Sequence, residues 1–587
     1  MEPSDGTNSG LMAQIIARGT AGPGNGSGAN PDNVGRSLLG QVTTADTERG
    51  VTVHLHRGQP VELLRQGQFV VVEGDYVRFF GSITSFRLAT TDPSVSMDPP
   101  DTDSPLIKTV LSRSTTYAEC NVRLALELSP QGAIRPARTL PGPFSQAYAA
   151  GRQDYQTVFG AEDEHHFFMG FPRELDEAVA ANAPICIDLS KFVERSNGIF
   201  GRSGTGKSML ARLLLCGLIK SNACVNLIFD MHSEYATEKE LEPRGTGKFA
   251  KGLRDLFGKS RVALYTMDED DSRKRGGVDG AIRIPLADIT IEDIEALADE
   301  LRMPGESAMI ITARQAARKL GRGWIEQLID MTPKQMQEYC EQTGANQGSV
   351  EALRRRLETI ADLGFVVRST QAKGTGIEGM IEALKSGRHV ILMFGQYRSA
   401  LAYMLVANIL TKRIHDEWVK WSERYEQDRE GTPAPKPLMI TIEEAHKFLG
   451  RDNATIFGTI AREMRKYLVT LMVIDQRPSG IDDEVMSQIG TRITALLNDE
   501  RDIDAVFTGI RGGSQLKSLL TTLDSKQEVM VMGHAVPMEV VMRVRSFDAE
   551  FYRSLQSGSS PVARSVGENL VKSDRARTSL QDLWPDE

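Results

Sequence analysis

Gly201-Arg202-Ser203-Gly204-Thr205-Gly206-Lys207-Ser208 is the stretch from which the fold is read. It matches the phosphate-binding loop G-x-x-x-x-G-K-[ST] at every position. Its three glycines let the backbone wind tightly enough for successive N–H groups to face one anion. Lys207 then supplies a point charge for the β- and γ-phosphates of ATP and the Ser208 hydroxyl a ligand for Mg2+, while the helix entered at Met209 adds its dipole. Gly198-Ile199-Phe200 reads as the end of a strand and Met209 to Ile219 as a buried helix, so the loop lies between strand and helix, as the mechanism requires. The expectation is an ATP-hydrolysing enzyme of α/β class.

With 587 residues the chain is too long for one core, and two to four domains are expected. Hydrophobic residues make up 40% of it, yet no apolar run approaches the roughly 20 residues that span a bilayer. No basic segment followed by an apolar core marks a secretory signal, and five cysteines without a Cys-x-x-Cys pair point to reduced thiols. A cytoplasmic protein without a membrane anchor is expected. Lys and Arg number 69 against 78 Asp and Glu, a formal charge of −9, so a nucleic-acid site has to be local, such as a channel lined by a few basic residues from several subunits. The 6% aromatic content gives no support to a base-stacking platform.

Residues 1–35, rich in Gly, Ser, Asn and Pro, read as a disordered lead. In 36–185, short β-rich runs such as Val51 to Leu55, Phe69 to Glu73 and Tyr76 to Ile83 between glycine turns predict a small antiparallel barrel and a linker. His54 and His56 alternate in one strand and read as a polar face, not a metal pair. In 186–285 and again in 385–556, strands and helices alternate as in a parallel sheet, with strands at Ala223 to Asp230, Arg261 to Met267, His389 to Gly395, Leu438 to Glu443 and Val469 to Gln476. Residues 286–384 read as a helical insertion, and 557–587 as a polar tail.

Hydrolysis also needs carboxylates at a neighbouring strand end. Leu438-Met439-Ile440-Thr441-Ile442-Glu443-Glu444 supplies them. Two acids closing a buried strand are costly unless they face a metal or phosphate cleft; Glu443 would hold Mg2+ through water, and Glu444 would orient or deprotonate the attacking water. Asp230-Met231-His232-Ser233-Glu234-Tyr235 follows another strand, and Asp230 could touch the metal shell. Gln476, closing the Val469 strand, could sense the γ-phosphate through its neutral amide. Arg273-Lys274-Arg275 is one candidate for gripping nucleic-acid phosphate, although a solvated loop balanced by Asp268-Glu269-Asp270-Asp271 is the favoured reading.

Taken in order, Arg195, the P-loop, Asp230-x-His232-x-Glu234-Tyr235, Glu443-Glu444-Ala445-His446, Ala461-Arg462-Glu463-Met464-Arg465-Lys466, Asp475-Gln476-Arg477-Pro478-Ser479 and Thr491-Arg492-Ile493 resemble the HerA group of DNA-translocating ATPases in the HerA–FtsK superfamily. The resemblance spans roughly residues 36–550. It implies a RecA-like P-loop core, an N-terminal HAS barrel, and a homohexameric ring that threads double-stranded DNA and hydrolyses ATP at subunit boundaries. It further implies that Arg462 or Arg465 acts in trans, with Arg465 preferred, and that Arg195 and Arg492 belong to the nucleotide cleft. Glu443 stands where the superfamily often has Asp, Ser233 where Gly is common, and Met464 interrupts a Glu-Gly-Arg-Lys run.

Two functions compete on this reading. The first is a DNA translocase or helicase working in end resection and repair with a NurA-like nuclease docked on the barrel face. The second is an ATPase scaffold or sensor of an antiphage complex whose effector is a nuclease or an NAD hydrolase. A secretion or conjugation ATPase is disfavoured by the absence of a hydrophobic anchor.

Overall fold

A computed structural model of the chain describes residues 36–47, 49–56, 61–91, 97, 116–173, 183–240, 249–268, 277–303, 307–368, 376–450, 456–510, 513–524 and 527–557. The expected disordered lead, Arg273-Lys274-Arg275 and the tail beyond residue 557 lie outside the described residues.

The barrel is built from β1 (Leu38–Asp46), β2 (Gly50–Leu55), β3 (Phe69–Glu73), β4 (Arg78–Thr90), β5 (Thr116–Leu128) and β7 (Gln146–Ala149), with β6 (Ile134–Pro136) added outside the ring on β5. Antiparallel pairing runs β1-β7-β3-β4-β5-β2 and closes through β2 on β1. Closure removes the exposed edges that an open six-stranded sheet would otherwise present. Period-two alternation makes the interior: Val51, Val53 and Leu55 of β2 are buried, whereas Thr52 and His54 are only half-buried. His54 stacks on Tyr117 with ring centroids 5.0 Å apart, and among the described residues no three or more His, Cys, Asp or Glu side chains are gathered as a ligand set. The opposite faces of β3 and β4 carry Phe69, Val71 and Phe80, which join Tyr155 and Phe159 of the helix Arg152–Phe159 in the same hydrophobic cluster as the P-loop helix. That shared cluster seats the barrel on the rest of the chain.

The core is one twelve-stranded sheet. Its strands are β8 (His166–Pro172), β9 (Ile185–Asp188), β10 (Asn197–Phe200), β11 (Val225–Asp230), β14 (Val262–Thr266), β15 (Gly280–Ala281), β18 (His389–Met393), β19 (Leu438–Glu443), β20 (Val469–Asp475), β21 (Thr491–Thr494), β22 (Glu528–Gly533) and β23 (Val540–Val544). The order is β15-β14-β18-β11-β19-β20-β10-β21-β22-β23-β8-β9, parallel as far as β21 and antiparallel beyond it. β8 and β9 precede the P-loop in sequence, yet they close the far antiparallel edge of the sheet. Helices cover both faces of the parallel part, so β19 and β20 are buried throughout and read as unbroken apolar runs. The P-loop helix Lys207–Ser221 packs on the face carrying Ile228, Met439 and Met472, and the 28-residue helix Ala400–Gln427 on the face carrying Leu227, Phe229 and Ile440.

Between β15 and β18 the chain is helical, as expected. Val350, Leu353, Leu357 and Ile360 line the buried stripe of Gln347–Ala361 at helical spacing. Two short parallel or antiparallel pairs accompany the sheet, β12 (Lys239–Glu240) with β13 (Phe249–Ala250), and β16 (Ile284–Pro285) with β17 (Val366–Val367) inside the helical stretch. The architecture is therefore a RecA-like P-loop core with a small N-terminal barrel and a helical insertion. No helix among the described residues is long and apolar enough to cross a membrane.

Candidate active site

β10 lies between β20 and β21, and β11 is separated from it by β19 and β20. The chain thus leaves β10 and returns with two strands between, and the carboxyl ends of β10, β19 and β20 border one crevice, where open α/β sheets bind ligands. A cavity of about 440 Å3 opens there, lined by Ser203, Gly204, Gly206, Lys207, Ser208 and Met209, by His232 and Glu234, by Glu443 and Glu444, and by Ile474, Asp475 and Gln476.

Gly204 and Gly206 have φ of 81° and 87°, conformations that strain any residue with a Cβ. Nothing lies within 4 Å of where a Cβ would project from either, which leaves an open cradle over the loop. Lys207 Nζ donates to the carbonyls of Gly201 (2.7 Å) and Arg202 (2.9 Å), and Thr205 Oγ1 donates to the Arg202 carbonyl (2.8 Å). Burial holds the Lys207 ammonium below its ordinary pKa, against the pull of Asp475, Glu443 and Glu234.

Glu443 closes β19 almost fully buried. Its Oε1 accepts the Tyr235 hydroxyl at 2.8 Å, its backbone N–H donates to the Tyr403 hydroxyl at 3.0 Å, and its Oε2 is buried without a hydrogen-bond partner. An unpaired buried carboxylate oxygen is costly without a cation. With Ser208 lining the same cavity, this donor set fits Mg2+, and the open glycine cradle fits a phosphate chain. Burial, with Asp230, Glu234 and Glu444 nearby, pushes the Glu443 carboxyl from 4.5 up to about 8, although the Tyr235 hydrogen bond opposes the shift. The folded, metal-free chain therefore holds a proton that the unfolded chain releases above 4.5. This contribution to stability is complete at low pH and is lost as pH rises through about 8. Urea melts in EDTA should accordingly show a midpoint that falls between about pH 6 and pH 8.5, and Glu443→Gln should flatten that decline.

Glu444 takes left-handed backbone angles, φ 50° and ψ 48°, which cost about 1–3 kcal/mol in a non-glycine residue. Its carboxylate lines the cavity, 2.5 Å from Lys447 Nζ. Gln476, just beyond the end of the neighbouring β20, lines the same cavity.

Asp230 is close by but does not line the cavity. Its buried carboxylate accepts backbone N–H groups from Glu234 (2.6 Å), Tyr235 (3.0 Å) and Ala236 (3.2 Å). It shapes the loop that presents His232 and Glu234. Ser233 in that loop has φ 55°, which accounts for glycine being common at the corresponding place in the family pattern.

The arginines fall elsewhere. Arg195, Arg462, Arg465 and Arg492 line a second cleft of about 390 Å3 together with Val469 and Thr470. Those two residues begin β20, whereas Ile474 and Asp475 at its other end line the first cavity. At about 3.3 Å per residue the β20 residues lining one cleft lie about 13–20 Å from those lining the other, beyond the reach of an arginine side chain. Arg492 is buried, donating to the carbonyls of Met486, Val506 and Thr508, and burial lowers its pKa to about 10. Arg462 lies 3.3 Å from Glu484 and 3.7 Å from Asp482, and Arg465, largely exposed, 3.8 Å from Glu194. None of the four is brought to the P-loop of its own chain.

No local sequence signal gives a role to Tyr235 or Tyr403, the two hydroxyls that hold Glu443, or to Arg212, which lines the cavity from the P-loop helix. Tyr235 was visible only as a motif letter, and Tyr403 and Arg212 as apparent members of helices.

A family model described as "Helicase HerA, central domain" matches residues 176–414. The DNA double-strand break repair helicase HerA of Pyrococcus furiosus is 23% identical over 395 residues, 62% of this chain and 68% of that protein. Its namesake from Sulfolobus acidocaldarius is 20% identical over 521 residues, 87% of this chain and 94% of that one. Among solved structures, the bacterial conjugative coupling protein TrwB superposes with a TM-score of 0.43 at 12% identity, covering 68% of this chain and 92% of its own.

Proposed function

Because the chain belongs to the HerA–FtsK superfamily of P-loop ATPases, we propose that it is a cytoplasmic, homohexameric translocase of double-stranded DNA acting with a nuclease in end resection and repair. The observation that carries the ring is the separation of the two clefts along β20. Arginines in a cleft about 13–20 Å along β20 from the crevice of their own P-loop can serve a nucleotide only if it is bound by a neighbouring copy. Stacking the crevice of one protomer against the arginine cleft of the next brings them together. Hydrolysis then depends on assembly.

Within one crevice the roles follow from position. The loop amides from Gly201 to Ser208 and the Lys207 ammonium receive the phosphates, and Lys207 must give up the Gly201 and Arg202 carbonyls to do so. Ser208 and, through water, Glu443 would hold Mg2+, whose charge offsets that of the phosphates. Glu444 orients the attacking water or takes its proton, and the Gln476 amide contacts the γ-phosphate. Arg465, more exposed than Arg462 and held only loosely by Glu194, is the preferred arginine to act in trans.

Support for duplex DNA comes from the relatives, which are DNA double-strand break repair helicases. A NurA-like nuclease would dock on the barrel face. With a formal charge of −9 the DNA contacts must be concentrated in the ring's channel. Linear duplex is expected to stimulate the ATPase, and its affinity to fall on the order of 10^3-fold or more between 50 and 200 mM salt, with little sequence preference. Steady-state ATPase assays and binding isotherms at two salt concentrations check this. An ATPase indifferent to duplex at low salt but responsive to a protein partner would put the scaffold reading, with a nuclease or NAD-hydrolase effector, in place of the motor.

A further inference from the structure

Asp475 ends β20 with its side chain completely buried, where three functional segments meet. Its Oδ2 accepts the backbone N–H of His446 at 2.6 Å, and the His446 ring places Nδ1 2.9 Å from Oδ2 and 3.0 Å from Oδ1. Oδ1 also accepts the backbone N–H of Arg477 at 2.7 Å. The Asp475 carbonyl accepts the N–H of Gly201 at 3.3 Å. In the sheet, Asp475 lies opposite Phe200 and the preceding Ile474 opposite Glu443. One residue is thus tied to the first glycine of the P-loop, to the turn after Glu444, and to the residue that follows Gln476.

The chemistry of the contacts fixes their direction. An ionised carboxylate only accepts, so the His446 ring must carry its proton on Nδ1. Three donors occupy the lone pairs of a carboxylate that would otherwise face incoming phosphate. His446 belongs to the 3-10 turn Ala445–Lys447, which the chain enters through Glu444 in its left-handed conformation. A glutamate has no intrinsic preference for that conformation, which persists only where the surroundings impose it. Two of the hydrogen bonds that hold the turn come from Asp475.

We propose that Asp475 and His446 are positioning residues, a clamp that sets the Glu444 carboxylate at a fixed place relative to Gln476 and the P-loop. The clamp acts on the catalytic step through Glu444 and leaves nucleotide binding to the loop amides and Lys207. It rests on the assignment of Glu444 to the attacking water and Gln476 to the γ-phosphate.

The test measures kcat for ATP and the Kd of a non-hydrolysable ATP analogue in the full-length protein. His446→Ala should lower kcat about 10–100-fold, as loss of a supporting hydrogen-bond partner typically does, while the analogue binds within about threefold of the parent. His446→Asn can return an amide N–H to the position of Nδ1 and should recover most of the loss. Asp475→Asn, which cannot accept from all three donors, should reproduce the selective fall in kcat and serves if His446→Ala folds poorly. The clamp is overturned if His446→Ala turns over within about twofold of the parent, if His446→Asn is as slow as His446→Ala, or if analogue binding falls in parallel with kcat. Glu444→Gln, assayed beside them, separates the two levels. An active Glu444→Gln protein sinks the underlying assignment and the clamp with it; an inactive one beside an unaffected His446→Ala sinks the clamp alone.

Discussion

Arg465→Ala protein should bind ATP as the parent does and yet turn it over about 10^3–10^5-fold more slowly, the range associated with a trans-acting arginine. The expectation follows from placement. Arg465 lies in the cleft at the start of β20, about 13–20 Å along the strand from the crevice that holds the P-loop of its own chain, so its loss cannot disturb that loop directly. A guanidinium from a neighbour can offset charge that develops on the phosphoryl group and on the leaving oxygen, which affects turnover and not ground-state binding. Mixing provides the decisive measurement. Lys207→Ala subunits lack a working P-loop but keep Arg465, so rings mixed from the two inactive proteins contain some interfaces with both parts intact, and part of the activity should return. Were mixed rings to form and stay inactive, while Arg462→Ala mixed with Lys207→Ala recovers activity, the finger would be Arg462.

Glu444→Gln should leave ATP bound and reduce hydrolysis by about 10^2–10^4-fold, the usual contribution of a positioned acid or base. The amide is nearly isosteric and keeps the turn after β19, but it can neither accept the proton of water nor strengthen the nucleophile. Lys207→Ala is the contrast. It removes the charge that meets the phosphates, so productive binding itself is lost. Nucleotide isotherms beside single-turnover hydrolysis distinguish the two patterns, and near-normal turnover by Glu444→Gln would pass the role to Glu443.

Much of the core was legible because its signals are local. The P-loop specifies its own backbone through glycines at positive φ, and it lies between β10 and a helix buried from Leu210 to Ile219, as read from the apolar runs on either side. β19 was bounded at Leu438 and Glu443 from its apolar run, and β11, β14, β18 and β20 to within two residues at each end, whereas β15 and the end of β21 were not legible. The run His166 to Pro172 has strand composition, but its partner β23 follows more than 360 residues later, with Pro172 opposite Met542, and nothing local announces such a pairing.

What the sequence by itself determined, then, is the chemistry available: a phosphate loop, two acids ending a buried strand, an amide ending another, and arginines in a recognisable order. Only the tertiary structure decided which of these share a cleft. The order β11-β19-β20-β10 is a long-range choice, made by packing whole strands, and it places Glu443 and Gln476 in the cavity with the P-loop while gathering Arg195, Arg462, Arg465 and Arg492 in the cleft at the other end of β20. Contacts such as Tyr235 to Glu443, 208 residues apart, or His446 to Asp475 exist only once that order is set. The physical reason is range: propensity and spacing act over a turn or a strand, whereas a residue's end of the sheet, and the side chains it meets there, follow from burial of apolar faces contributed by the whole chain.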